Sequence, residues 1–188
     1  MSASYRGSYR VGRAIAKEIN KKVKHQMNFN DIQRQAKSRP ESVPVDTPQG
    51  TIWLSPIEFQ LYEEMRRNGL LPFLQYCIEG YFVDFAFPDV RVAVEADGAE
   101  YHSEERYAHD RKRDWVIQRA GWKIMHFKGS TIFQKSGNCA YVINKEVEGR
   151  RAQTKARAKQ KEIERQERRD ALLRPFKWVA NLVMRDKR

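Results

Sequence analysis

Tyr81-Phe82-Val83-Asp84-Phe85-Ala86-Phe87-Pro88-Asp89-Val90-Arg91-Val92-Ala93-Val94-Glu95-Ala96-Asp97-Gly98-Ala99-Glu100-Tyr101-His102 is the stretch on which the fold turns. Two runs rich in aromatic and β-branched residues flank Pro88-Asp89, which predicts a β-hairpin. Side chains alternate along a strand. Val83, Phe85, Phe87, Val90, Val92 and Val94 therefore share one apolar face, and Asp84, Glu95 and Asp97 emerge on the other. Clustered carboxylates repel, and burying them is costly unless a cation neutralises them. A divalent metal such as Mg²⁺, which prefers carboxylate and water oxygens, suits such a set.

Upstream, Ser55-Pro56-Ile57-Glu58 reads as a helix start: serine at the N-cap, proline at the first position, glutamate completing a capping box. The helix runs to about Asn68-Gly69, with Leu61, Tyr62 and Met65 as its inward stripe. Glu58 projects onto that stripe. It is either the capping partner alone or a carboxylate looking into a site, while Glu63 and Glu64 point to solvent. Leu71 to Cys77 is expected as the first strand, turning at Ile78-Glu79-Gly80.

Downstream, Gly98 ends the hairpin, and His102 follows Asp97 by five residues, just past a strand end. An imidazole there can move protons near neutral pH. Glu104 to Ala120 reads as helix, ended by Gly121. Asp110, Asp114 and Ile117 fall on one face, with Arg111, Lys112 and Arg113 interspersed as ready ion-pair partners. Trp122 to Phe127 is a further strand. The helix between strands permits a parallel crossover, and His126 inside the strand reads as structural. Thr131 starts a last core helix.

Charge divides the chain in three. Of 36 Lys/Arg and 24 Asp/Glu, residues 1–40 hold ten and two, and residues 145–188 hold fifteen and seven. An acidic centre thus sits between basic arms, which fits a polyanion held by the flanks and a cation held in the middle. The arms read as helices, residues 11–37 and 139–172. Arg39 to Pro48 reads as a proline-punctuated linker, and Pro175 as a break before an amphipathic tail of Phe176, Trp178, Val179, Leu182 and Val183. That tail suits docking on the core, on the N-terminal helix, or on a second copy as a homodimer. The expected layout is an arm at 1–40, a core at 41–138 and an extension at 139–188. Cys77 and Cys139 have neither zinc-finger spacing nor a disulfide framework. No apolar leader or membrane-spanning stretch is visible, so a soluble, cytoplasmic protein is expected.

Taken together, residues 55–128 resemble the nuclease core of the very-short-patch (Vsr-like) mismatch repair endonucleases and of the phage homing endonucleases called EDxHD, all of the PD-(D/E)XK superfamily. The matching pieces occur in order: Ser55-Pro56-Ile57-Glu58, Val83-Asp84-Phe85, Glu95-Ala96-Asp97-Gly98 with Tyr101-His102, and Asp110 through Gly121-Trp122. The resemblance implies an α/β fold, a small mixed sheet flanked by helices. It also implies a metal-dependent DNA endonuclease, nicking one strand in the manner of the mismatch enzymes. Asp84 and Glu95 would bind Mg²⁺ or Mn²⁺, helped by the Ala96 carbonyl. His102 would be a general acid or base, and Glu58 and Asp110 would complete the site. Asp97 stands where the superfamily pattern has lysine, so no lysine activates water. Cysteine ligands for the zinc of the mismatch enzymes are missing, and neither basic flank is covered. Two rivals remain: a nucleic-acid-binding module on an inactive core, and a subunit of a larger DNA-processing assembly.

Overall fold

The computed structural model describes residues 26–48, 50–98 and 104–185, together with Lys24. It resolves into two compact units, the first ending at Lys145 and the second starting at Glu146.

The first unit opens with helix α1, residues 26–38. Two strands follow, β1 (Val43–Thr47) and β2 (Gly50–Leu54), paired antiparallel in a sheet of their own. The prolines had suggested a linker here. Both strands of a two-stranded ribbon are edges, and an edge tolerates proline because its unused side needs no N–H. Val43, Val45 and Thr47 are half-buried, while Pro44 and Asp46 are exposed.

Helix α2 (Pro56–Arg67) begins as the sequence dictates. Ser55 Oγ accepts from the Glu58 amide at 3.4 Å, and Glu58 Oε2 accepts from the Ser55 amide at 2.8 Å, a reciprocal capping box. Leu61 and Met65 are fully buried. Tyr62 is half-buried under Arg66, while Glu63 and Glu64 pair with Arg66 and Arg67 near the C-terminal end.

The main sheet has the order β3-β4-β5-β6 (Phe73–Ile78, Tyr81–Phe87, Val92–Asp97, Lys123–Lys128). The first three strands are antiparallel, and β6 joins β5 in parallel after helix α3 (Glu104–Arg119). The expected hairpin is β4–β5, closed by residues 88–91. Two strand boundaries move by one or two residues: Leu71 and Pro72 precede β3, and Trp122 precedes β6. The sheet is mixed and helix-flanked, as expected. Phe85, Phe87, Val92 and Val94 are fully buried. A second apolar layer joins Ile78, Val83, Ala86 and Ala93 to Ile117 of α3, with Trp122 and Ile124 packed on it, so Val83 packs with Ala86 and Ala93 and not, as strict alternation predicts, with Phe85.

The helical span α4 (Gly129–Arg185) comprises two helices that meet at a kink. Pro175 does not interrupt it; the non-helical residue is Lys135, at φ −146° and ψ 43°. A proline inside a helix costs about 3 kcal/mol, a local penalty that a run of flanking turns absorbs. In the second unit Glu146–Arg150 and Glu148–Arg151 pairs line the helix at 2.6 and 2.8 Å. The side chains of the expected docking tail lie outside the described residues, as does the arm before residue 24. Among the described residues no helix is long and apolar enough to cross a membrane.

Candidate active site

Three carboxylates meet over the β4–β5 hairpin. The β4–β5 ladder ends at Phe85↔Val94, and just beyond it the side chains of Asp84 and Glu95 are hydrogen-bonded to each other. Asp84 Oδ2 accepts from the Ala96 amide at 2.8 Å, which pins it to the neighbouring strand. Glu58 reaches the same place from the first turn of α2. All three line one cavity of about 250 Å³. Glu58 is therefore not a capping partner alone: the same carboxylate caps its helix and lines the cavity.

The third side of Asp84 is held by Gln75. Its amide Nε2 lies 3.3 Å from Asp84 Oδ1. The β3–β4 register skips Gln75 between Leu74↔Phe85 and Tyr76↔Val83, and its φ of 47° is left-handed. A non-glycine residue in that region is strained. No sequence pattern announced this kink.

Burial and mutual repulsion govern the protonation of the cluster. Burial, then the Asp84 charge, pushes Glu58 up to about 7. Glu95 is only 6% exposed and is raised well above the carboxylate range, first by burial and then by Asp84. Burial also raises Asp84, while the Ala96 amide and a hydrogen bond from Glu95 pull the other way. The two carboxyls are hydrogen-bonded to each other, and burial disfavours the ionised form of both.

Two arginines among the lining residues offset this charge. Arg39, just after α1, favours the ionised form of Glu58 from the rim. Arg113 of α3 lies deeper, its Nη2 3.1 Å from Glu95 Oε1. Sequence reasoning placed Arg113 among ordinary helix-surface ion pairs and missed its direction. The wall is completed by α1. Gln33 Oε1 accepts from the Trp53 amide at 2.7 Å, Ser42 Oγ donates to the Ala36 carbonyl at 2.6 Å, and Phe29 packs on Phe82 at 5.7 Å.

The remaining expected residues fall elsewhere. Asp97 is outside the cavity lining. Its Oδ2 sits 3.1 Å from His126 Nδ1, and His126 Nε2 sits 3.0 Å from Asp114 Oδ2. The hydrogen bond with Asp97 raises the imidazole pKa. His126, which read as structural, is thus a bridge between two carboxylates. Asp110 is half-buried on α3 and does not line the cavity. His102 lies outside the described residues.

A divalent cation fits the donor set. Among the described residues Glu95 Oε1 is a buried oxygen with no hydrogen-bond partner, and burial and the neighbouring Asp84 oppose its ionisation unless a cation is near. Among the described residues no set of three or more His, Cys, Asp or Glu side chains forms a metal cage. Mg²⁺ needs none: it keeps several waters and binds through one or two carboxylates plus substrate phosphate.

Residues 58–147 match the family model REase_MTES_1575, a restriction-endonuclease-like family. The matched segment is similar to that family over just under half of the chain. The match begins at Glu58 and takes in the hairpin, the crossover helix and the start of α4. It leaves out α1 and the β1–β2 ribbon, so part of the cavity wall lies beyond the matched segment. Among solved structures, the homing endonuclease I-Bth0305I catalytic domain is similar at 15% identity and a TM-score of 0.44, covering 52% of this chain and 98% of its own. No curated protein matches the chain.

Proposed function

We propose that the chain is a Mg²⁺-dependent DNA endonuclease that hydrolyses a phosphodiester bond, nicking one strand in the manner of the Vsr-like enzymes. One observation carries the reading: Asp84 and Glu95 stand side by side with Glu58 in a single cavity, where burial raises the pKa of each carboxyl.

Asp84 and Glu95 would hold the cation. When bound, it lowers the pKa of a water and offsets phosphate charge. The Ala96 amide and Gln75 keep Asp84 aimed at the cavity. Hydrolysis consumes one water: its oxygen bonds to phosphorus, one phosphorus–oxygen ester bond breaks, and a proton passes from the water to the departing oxygen. Glu58, with a pKa of about 7, is poised to take that first proton. His102 has the chemistry to deliver one to the leaving oxygen, a role that rests on its place in the sequence. Asp97 and Asp110 act from outside the cavity, Asp97 by orienting His126. The basic extensions supply salt-sensitive attraction to the DNA backbone, and the tail after Pro175 supplies a homodimer contact.

The test is incubation of supercoiled plasmid and mismatched duplexes with and without Mg²⁺. Nicked product that requires Mg²⁺ and disappears in Asp84→Asn is expected. Tight DNA binding with no cut strand in Mg²⁺ or Mn²⁺ would instead make the core an inactive binding module.

A further inference from the structure

Arg113 is poorly satisfied where it sits. Its side chain is 20% exposed, 3.1 Å from Glu95 Oε1 on one side and 3.7 Å, through Nε, from Asp114 Oδ1 on the other. Yet, among the described residues, Arg113 Nε, Glu95 Oε1 and Asp114 Oδ1 are all buried without a hydrogen-bond partner. A structural arginine–carboxylate pair forms a planar fork of two parallel hydrogen bonds. This one is held by charge alone, and leaving buried donors and acceptors unmade is costly. Such an arginine is parked beside Glu95 rather than locked to it.

The charge of the cavity points to what it awaits. Glu58, Asp84 and Glu95, when ionised, together with one divalent cation and the two arginines, leave a single positive charge. One phosphodiester neutralises it. Without Arg113 the same set is already neutral and has no electrostatic preference for the substrate. A cation taken up by Glu95 also repels the guanidinium from its present position and turns it toward the open cavity.

We propose that Arg113 is a catalytic residue whose guanidinium gives up Glu95 to the cation and binds a non-bridging oxygen of the phosphodiester being cut. This rests on the phosphodiester-hydrolase reading above. The arginine forms no bond to phosphorus and transfers no proton; it stabilises the negative charge that gathers on the phosphate oxygens.

Two measurements on Arg113→Met test it: Mn²⁺ binding by calorimetry, and Mn²⁺-supported nicking of supercoiled plasmid. Removing a competing cation from Glu95 leaves Mn²⁺ affinity unchanged or raises it severalfold. Nicking falls by about a hundredfold or more, the size of effect seen when one donor to a developing oxyanion is removed. Added guanidinium ion restores part of the rate. Nicking within threefold of wild type overturns the proposal. So does a loss of Mn²⁺ affinity that matches the loss of nicking, because Arg113 would then only position Glu95. If Arg113→Met does not fold, Arg113→Lys decides. It keeps the charge but not the planar fork, and a wild-type rate overturns the proposal. Glu95→Gln separates the two ideas: if it binds Mn²⁺ and nicks normally, the carboxylate site itself is misassigned, whatever Arg113 does.

Discussion

Asp84 Oδ2 accepts a hydrogen bond from the Ala96 amide at 2.8 Å, across the β4–β5 hairpin and one residue from Glu95. This contact forces two carboxylates to share one buried place. It also allows chemistry and stability to be separated by a single substitution. Asp84→Asn keeps an oxygen that can accept from Ala96 but removes a charge that burial opposes. The expected variant melts at or above the wild-type temperature in metal-free buffer, yet binds Mn²⁺ at least about tenfold more weakly and nicks DNA at least about a hundredfold more slowly. Calorimetry, thermal melts and a plasmid assay read the three quantities. Wild-type turnover in Asp84→Asn would remove this aspartate from the site.

Glu58 makes the metal-free protein sensitive to pH with a definite sign. Its folded pKa is raised from 4.5 to about 7. Between those values the folded state binds the extra proton, so stability falls as pH climbs through the window and stays low above it. One pKa unit corresponds to about 1.4 kcal/mol, which puts the Glu58 share on the order of 3 kcal/mol. Urea midpoints at pH 5 and pH 8 should show the drop. Glu58→Gln retains a capping-box side chain and should flatten the profile, though Asp84 and Glu95 continue to act in the same direction. A steeper profile in Glu58→Gln would contradict the assignment. Saturating Mg²⁺ should offset the fall, since a cation binds the deprotonated carboxylates.

The imidazole between Asp97 and Asp114 offers a local probe. Its pKa is raised, first by the hydrogen bond with Asp97. Its stabilisation is therefore complete below its unfolded pKa and is lost as pH rises through the folded one. In NMR titrations His126 should titrate higher in wild type than in Asp97→Asn. That variant should still bind Mn²⁺ within about threefold of wild type, because Asp97 does not line the cavity. A loss of Mn²⁺ binding as deep as that of Asp84→Asn would return Asp97 to the metal site.

Gln75 holds a left-handed φ of 47° while its amide supports Asp84. Gln75→Gly suits that backbone and deletes only the side chain. Relief of strain and added chain entropy offset each other to within about 1 kcal/mol, so the melting temperature should hardly move. Nicking should slow by about three- to tenfold as Asp84 loses one of its supports. An unchanged rate would show that the Ala96 amide positions Asp84 alone.

Much of this molecule is written locally. The alternation of Phe85, Phe87, Val92 and Val94 sets the hairpin and its buried face, and places Asp84 beside Glu95, because a strand has only two faces. Ser55-Pro56-Ile57-Glu58 marks the start of α2, because capping uses neighbours three residues apart. Other features depend on distant partners. A two-stranded edge ribbon accommodates Pro44, so the supposed linker became β1. The inward turn of Arg113 answers the charge of Glu95, eighteen positions away and on another element. Asp97 turns to His126 across the parallel β5–β6 pair, a juxtaposition that exists only once α3 has carried the chain over the sheet. Helix α1 lies before the family segment, and only its packing on Trp53 and Phe82 makes it a wall of the cavity. Short-range pattern dictates which face a side chain takes; what it meets there is decided by charges and packing that converge from afar.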